Sequence, residues 1–194
     1  MIFSRGVSQV SWVEKDFEEQ MRPLIDEAYR KVFSAISKIT RCEKDENSNQ
    51  LILDTEFAID TIIRFIDGSL LTLQEKVRRF EYYKKYNDFT FEYFNNPDTE
   101  EQGEWFKLAS QFYFYGFATP DESDFARFYI LNVGNFRIFL KKNYGNNLFE
   151  RVRRNKPPCR ANFITIPFDE IPDFCLLYDS AKTPTNAATL AGAR

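Results

Sequence analysis

Two apolar runs meet at Asp67-Gly68-Ser69, and no other stretch leaves the chain so little choice. Residues 57–79 read FAIDTIIRFIDGSLLTLQEKVRR. A short Asp-Gly-Ser turn between apolar segments predicts a β-hairpin, because glycine supplies the backbone freedom a tight reversal needs. Asp60 interrupts the first run, and Gln74, Glu75 and Lys76 interrupt the second. Polar groups inside strands cost free energy unless they are paired or used. Side chains in a strand alternate between faces, so Glu56, Ala58 and Asp60 share one face and Thr72, Gln74, Lys76 and Arg78 another. If those faces coincide, Asp60, Gln74 and Lys76 converge. Two oxygen ligands beside a lysine suit a hard divalent cation, Mg²⁺ or Mn²⁺, with the lysine near an attacked phosphate. Rigid strands would position such a site well.

Around the hairpin the chain predicts a mixed α/β domain. Ser11-Trp12-Val13-Glu14 fits a capping box that starts a helix. Phe17, Met21, Leu24, Ile25, Ala28, Val32, Ala35, Ile36 and Ile39 continue it at helical spacing, with Pro23 as a kink or break. A polar loop spans 41–50. Strands are predicted at 51–57, 58–66, 70–79, 89–94, 125–133 and 161–168. Helices are predicted at 104–117, where Trp105, Leu108, Phe112 and Tyr115 fall on one face, and at 135–144. The expected architecture is a single domain over 1–179, with a mixed central sheet flanked by helices and a tail of low core-forming content at 180–194.

Composition narrows the chemistry. The chain has 194 residues, 43% of them hydrophobic, which is enough for one packed core. It contains no histidine, so Ser-His and Cys-His nucleophile systems and histidine metal sites are excluded. Cys42, Cys159 and Cys175 are widely spaced and odd in number, which predicts free thiols in a reducing, cytoplasmic compartment. The longest apolar runs are short and broken by charge, so no membrane span is expected.

The net charge of −3 hides segregation. Lys76, Arg78, Arg79, Lys84 and Lys85 are opposed within their segment only by Glu81. Lys141, Lys142, Arg151, Arg153, Arg154, Lys156 and Arg160 are opposed only by Glu150. Basic clusters on an acidic body suit a nucleic-acid groove, with Arg78, Arg79, Arg151, Arg153, Arg154 and Lys156 as phosphate contacts. Solvated faces are the plain alternative.

"AID" followed at fourteen residues by "QEK" resembles the PD-(D/E)XK nuclease superfamily, whose core motif is an Asp on one strand and (Glu/Gln)-x-Lys on the next. Gln111 and Tyr115 are similar to the QxxxY helix motif of its RecB-type branch. The resemblance covers roughly residues 50–117. It implies a restriction-endonuclease-like fold and a Mg²⁺- or Mn²⁺-dependent nuclease acting on nucleic acid, DNA favoured. By the same resemblance Asp60 binds the metal and Gln74 ligates it through its carbonyl oxygen. Lys76 acts on the water or the transition state, and the Glu75 carbonyl completes the shell. Gln111 and Tyr115 line the site. An acid from the first helix often joins the ligands, and Asp26 or Glu27 stands in about the right place, Glu27 being assigned to the metal; Glu56 is a rival. Gln74 removes a charge that Glu would supply. Three scattered cysteines do not match the iron–sulfur cluster some RecB-type proteins carry, so none is expected. A nuclease-fold protein that binds nucleic acid or a protein without cutting, and an aromatic-rich homodimer, are the competing classes.

Overall fold

The computed structural model describes residues 10–42, 50–154 and 161–182. Lys156, Cys159, Arg160 and the tail beyond 182 lie outside the described residues. In chain order the elements are α1 (Val10–Val32), β1 (Ile36–Arg41), α2 (Gln50–Phe57), β2 (Thr61–Phe65) and β3 (Leu70–Arg78). Then come α3 (Phe80–Lys85), β4 (Asp88–Asn96), β5 (Glu101–Gln102), α4 (Glu104–Lys107), β6 (Phe112–Ala118) and β7 (Phe125–Asn132). The last are α5 (Val133–Tyr144), β8 (Val152–Arg154), β9 (Asn162–Pro167) and β10 (Leu176–Asp179), with short 3-10 turns at Gly145–Arg151, Phe168–Glu170 and Asp173–Cys175. Among the described residues, no helix is long and apolar enough to cross a membrane.

The mixed α/β expectation holds, but the strands divide between two sheets. One has six strands in the order β1-β2-β3-β6-β7-β10, and the other has four in the order β5-β4-β9-β8. The hairpin forms as the turn dictates. β2 and β3 pair antiparallel with Ile62 opposite Thr72, Gly68 sits at φ 85°, and Asp67 Oδ1 accepts from the Ser69 amide at 2.9 Å. β6 lies parallel to β3 on its other side, and the remaining pairs of the large sheet are antiparallel.

Three element assignments are corrected, and one alternative at Pro23, the break, is removed. Residues 51–57 form α2 rather than a strand, and 36–41 form β1 rather than the end of the first helix; Ala35, at φ 61°, turns the chain between α1 and β1. Only Glu104–Lys107 of the predicted 104–117 helix is helical, and Phe112–Ala118 is a strand. Pro23 sits inside an unbroken α1. The error at β6 has a physical cause. That strand is central, so both of its faces are buried and its apolar residues run continuously instead of alternating.

Two apolar clusters sandwich the large sheet. Phe17, Met21, Ile25, Ala28, Tyr29 and Phe33, on and just past α1, pack on one face against Ile63, Leu73, Val77, Phe114 and Ile130. Phe89, Phe91, Ile164 and Ile166 of the small sheet, with Phe136 of α5, cover Tyr113, Tyr115, Phe117, Tyr129 and Leu131 on the other. Burying each large side chain contributes about 1.5–3 kcal/mol. Cys42 and Cys175 are buried free thiols, and burial pushes each up to about 11. Ser180, at the expected tail boundary, still exchanges hydrogen bonds with the main chain of Phe128.

Candidate active site

The site is built where β2 stops pairing with β3. The last ladder pair is Thr61 opposite Leu73. Asp60, one residue before β2, donates its amide to the Leu73 carbonyl at 2.9 Å and accepts the Cys42 amide on its own carbonyl at 2.8 Å. Its Oδ2 then accepts the Glu75 amide at 2.7 Å. The carboxylate thus takes the rung of the ladder that the β2 main chain no longer supplies. A backbone amide favours the charged form of Asp60. Burial and the nearby Glu75 outweigh it and hold its pKa well above the carboxylate range.

Alternation along β3 sends its neighbours to opposite faces. Gln74 and Lys76 stand beside their β6 partners Tyr113 and Tyr115. Glu75 points the other way, under α1. Its Oε1 accepts from the Tyr29 and Thr61 hydroxyls, both at 2.7 Å, and from Arg41, which also pairs with Asp26. The Arg41 and Glu75 side chains are only 11% and 10% exposed. Removing one partner of such a pair leaves a buried charge, at about 3–5 kcal/mol. Burial opposes the charge on Arg41, yet Glu75, Tyr29 and Asp26 outweigh it and raise its pKa. Burial, then Glu75, raises the Tyr29 phenol well above its ordinary value.

These elements enclose a cleft of about 410 Å³. Glu18, Arg22 and Ile25 of α1, Asp54 of α2, Ala58, Asp60, Gln74, Glu75, Lys76, Val77, Glu92, Asn95, Glu104 and Lys107 line it. Carboxylates outnumber cations. Lys76 is paired with Glu104 of α4 at 3.6 Å, and its ammonium lies 5.7 Å from the centre of the Phe163 ring. Gln74 Oε1 is buried without a hydrogen-bond partner among the described residues. The Tyr113 hydroxyl is also buried and faces the Glu104 carboxylate; burial, then the charge of Glu104 and a hydrogen bond to it, raise its pKa.

Asp60, Gln74 and Lys76 therefore line one cleft, as the hairpin register predicts; Glu75 lines it too, although its side chain turns to Tyr29 and Thr61. The other assigned residues stand elsewhere. Gln111 is exposed and pins β6 to β3, its Oε1 accepting the Thr72 amide at 3.0 Å. Tyr115 is buried in the core, its hydroxyl 3.0 Å from Thr90 Oγ1 and 3.4 Å from Arg78 Nε. With no helix over 112–118, these two residues do not form a helix motif. Glu27 is on the exposed side of α1, paired with Lys31 at 3.1 Å, whereas Asp26 joins the Arg41 network. Glu56 is exposed on α2.

Arg78, Arg79 and Arg151 are engaged within the fold, whereas Arg153 and Arg154 are exposed. Arg78 is bonded to Thr90 at 2.6 Å, Arg79 is paired with Glu122, Arg151 with Glu170 at 2.9 Å, and Arg154 with Asp98 at 3.8 Å. Arg153 is exposed and donates to the Glu150 carbonyl at 2.7 Å. None of these arginines lines the cleft. Sequence reasoning missed Arg41, Asp54, Glu92 and Glu104. No local pattern marks them: Asp54, Glu92 and Glu104 enter the cleft from α2, β4 and α4, and Arg41 reaches Glu75 from β1.

Among the described residues no cluster of three or more His, Cys, Asp or Glu is arranged to hold a metal. A cation here would need a mixed oxygen set. The donors fit that chemistry: Gln74 Oε1 is buried and unpartnered, and Asp60 is a desolvated acid whose charge nothing opposite in sign offsets strongly enough to keep its pKa low. The chain matches no family model, no curated protein and no solved structure.

Proposed function

We propose that this chain is a divalent-cation-dependent nuclease of the PD-(D/E)XK type, with DNA the favoured substrate. One observation carries the reading: Asp60, Gln74, Glu75 and Lys76, in the order of that motif, meet in a single cleft at the end of the β2–β3 ladder. A mixed sheet whose motif strands are adjacent and antiparallel, with α1 packed on one face, supports a restriction-endonuclease-like fold. Asp60 and Gln74, with the Glu75 carbonyl, would hold the cation. When bound, Mg²⁺ or Mn²⁺ supplies an activated water and Lewis acidity at the phosphate. Lys76 places a positive charge where the phosphate gains negative charge on attack.

The test is cleavage of labelled single- and double-stranded DNA and RNA with Mg²⁺, Mn²⁺ or EDTA. Wild type is expected to cut in either metal and not in EDTA. Asp60→Ala should abolish cutting, and Lys76→Ala should slow it by roughly 10²–10⁴, the usual effect of one charge-stabilising or acid–base group. A folded wild type that cuts no substrate in either metal sinks the reading. A second reading, a nuclease-fold binder that does not cut, is favoured by the neutral Gln74 and by the Lys76–Glu104 pair. Salt-sensitive nucleic-acid binding without cleavage would establish it.

A further inference from the structure

We infer that α3 carries a binding surface apart from the cleft: Tyr82 and Tyr86 form a stacking platform for single-stranded nucleic acid, with Lys84 and Lys85 as its phosphate contacts. The class of ligand rests on the nuclease reading above, while the surface itself lies outside the cleft lining. Residues 80–86 read FEYYKKY, four aromatics in seven residues. Helical geometry divides them. Tyr83 turns inward, its ring centre 5.2 Å from that of Phe117, and Phe80 is half-buried beside it at 6.1 Å. Tyr82 and Tyr86 stand one turn apart, the Tyr86 amide donating to the Tyr82 carbonyl at 2.8 Å, and so share the other side. Their rings stack with centres 6.1 Å apart and planes 26° from parallel. They remain 39% and 41% exposed, so the core does not account for them.

Two further observations point to an anionic partner with flat faces. First, the platform is positive. Lys84 and Lys85 are exposed and make no ion pair among the described residues. The Lys84 ammonium lies 5.0 Å from the centre of the Phe80 ring and that of Lys85 4.9 Å from Tyr86, so both charges are held on the aromatic surface. Glu81 is the only acid between Lys76 and Asn87. Second, Tyr82 is ordered in advance. The Arg78 guanidinium lies 5.6 Å from its ring centre and is itself fixed by Thr90 and Tyr115. A side chain already ordered loses little freedom when a ligand stacks on it. Arg78 also follows Gln74 and Lys76 along one face of β3, so the platform stands at the end of a row that starts in the cleft. Bases in a duplex stack on one another and offer no free face. A single strand offers base faces and phosphates together, the combination that exposed aromatic rings and lysines hold.

The experiment is fluorescence anisotropy in EDTA, where no cutting is expected. The probes are a labelled single-stranded DNA oligonucleotide and a sugar–phosphate chain of the same length without bases. Tyr82→Ala and Tyr86→Ala should each weaken oligonucleotide binding by roughly 5- to 150-fold, the loss when one base loses its aromatic partner. Neither should change binding of the base-free chain. The double variant Tyr82→Phe with Tyr86→Phe should bind like wild type, because both rings remain. Lys84→Ala with Lys85→Ala should flatten the salt slope by about 1.4, two phosphate contacts at about 0.7 each on a single strand; it serves if an alanine variant fails the circular-dichroism check of its fold. Equal oligonucleotide affinity in wild type and both alanine variants overturns the inference, and so does an unchanged slope in the lysine variant. Equal wild-type affinity for the chains with and without bases overturns it too, since charge alone would then explain binding. Binding to phosphatidylserine vesicles but not to the oligonucleotide overturns it in favour of a lipid surface. A wild type that cuts DNA in Mn²⁺, with alanine variants that bind normally, overturns the platform and leaves the nuclease reading. One that binds through the tyrosines and cuts nothing overturns the nuclease reading and supports the platform.

Discussion

Asp60 is held at the junction of three strands by main-chain bonds to Cys42 and Leu73, while its carboxylate Oδ2 accepts the Glu75 amide. Its charge is a liability when no cation is present. Because its folded pKa is raised above the unfolded value near 3.9, the folded chain keeps a proton that the unfolded chain has lost, and stability falls as pH rises through that window. Asp60→Asn keeps an oxygen for the Glu75 amide and removes the titration. It should raise the melting temperature at pH 7 and flatten its fall with pH between about 4 and 7. Differential scanning calorimetry across that range checks this, and an Asp60→Asn protein that melts lower at pH 7 contradicts it. The convergence of Asp60, Gln74 and Lys76 was legible because a three-residue turn sets the register of both strands. The choice between Asp26 and Glu27 was not. It depends on how α1 is rotated against the sheet, which turns Asp26 to Arg41 and Glu27 to Lys31 and brings neither into the cleft lining.

At the scale of elements, punctuation decides what can be read. Gly68 marks its turn openly. α2 ends at Ala58, buried and at φ 47°, where the usual signal would be a glycine, so the apolar run before it reads as a strand. β6 reads as a helix because Trp105, Leu108, Phe112 and Tyr115 happen to fall three or four apart while the true constraint, burial on both faces, is tertiary. The short α4 is placed by one glycine. Gly103→Ala would drive a methyl group into main chain that cannot rotate away, so α4 or β4 must shift. The expected cost is about 1–3 kcal/mol, or roughly 2–12 °C in melting temperature for a chain of this size. Thermal melts of this variant beside Gly134→Ala, where the added Cβ meets only the Asn132 side chain at 3.5 Å, separate the two sites. Equal melting temperatures would show that the contact at Gly103 is relieved cheaply.

On the scale of the whole molecule, charge clustering in sequence did not become a basic groove among the described residues. Arg78, Arg79, Arg151 and Arg154 meet hydroxyls or carboxylates of the fold, and the cleft they were expected to flank is acidic. None of the five described arginines expected as phosphate contacts lines that cleft. The slope of log affinity against log salt for nucleic acid should therefore be shallow, about −1 to −3, since each phosphate contact contributes about −0.9. Fluorescence anisotropy with a labelled oligonucleotide over a salt series gives the slope directly, and a value near −6 would contradict the prediction. The second sheet was invisible in the sequence for a related reason. β4 and β9 read as ordinary strands, and nothing local says that they pair with each other instead of with β3. The route of the chain has a consequence for synthesis. After β3 it leaves the large sheet, builds β4, β5 and α4, and returns only at β6 to close the flank of β3. On a ribosome the newly made β3 is therefore a bare edge, able to recruit a strand from another nascent chain. Gln74, Glu75 and Lys76 interrupt that edge with the polar and charged groups that discourage such pairing. The three residues gathered for the cleft thus also guard the unfinished protein.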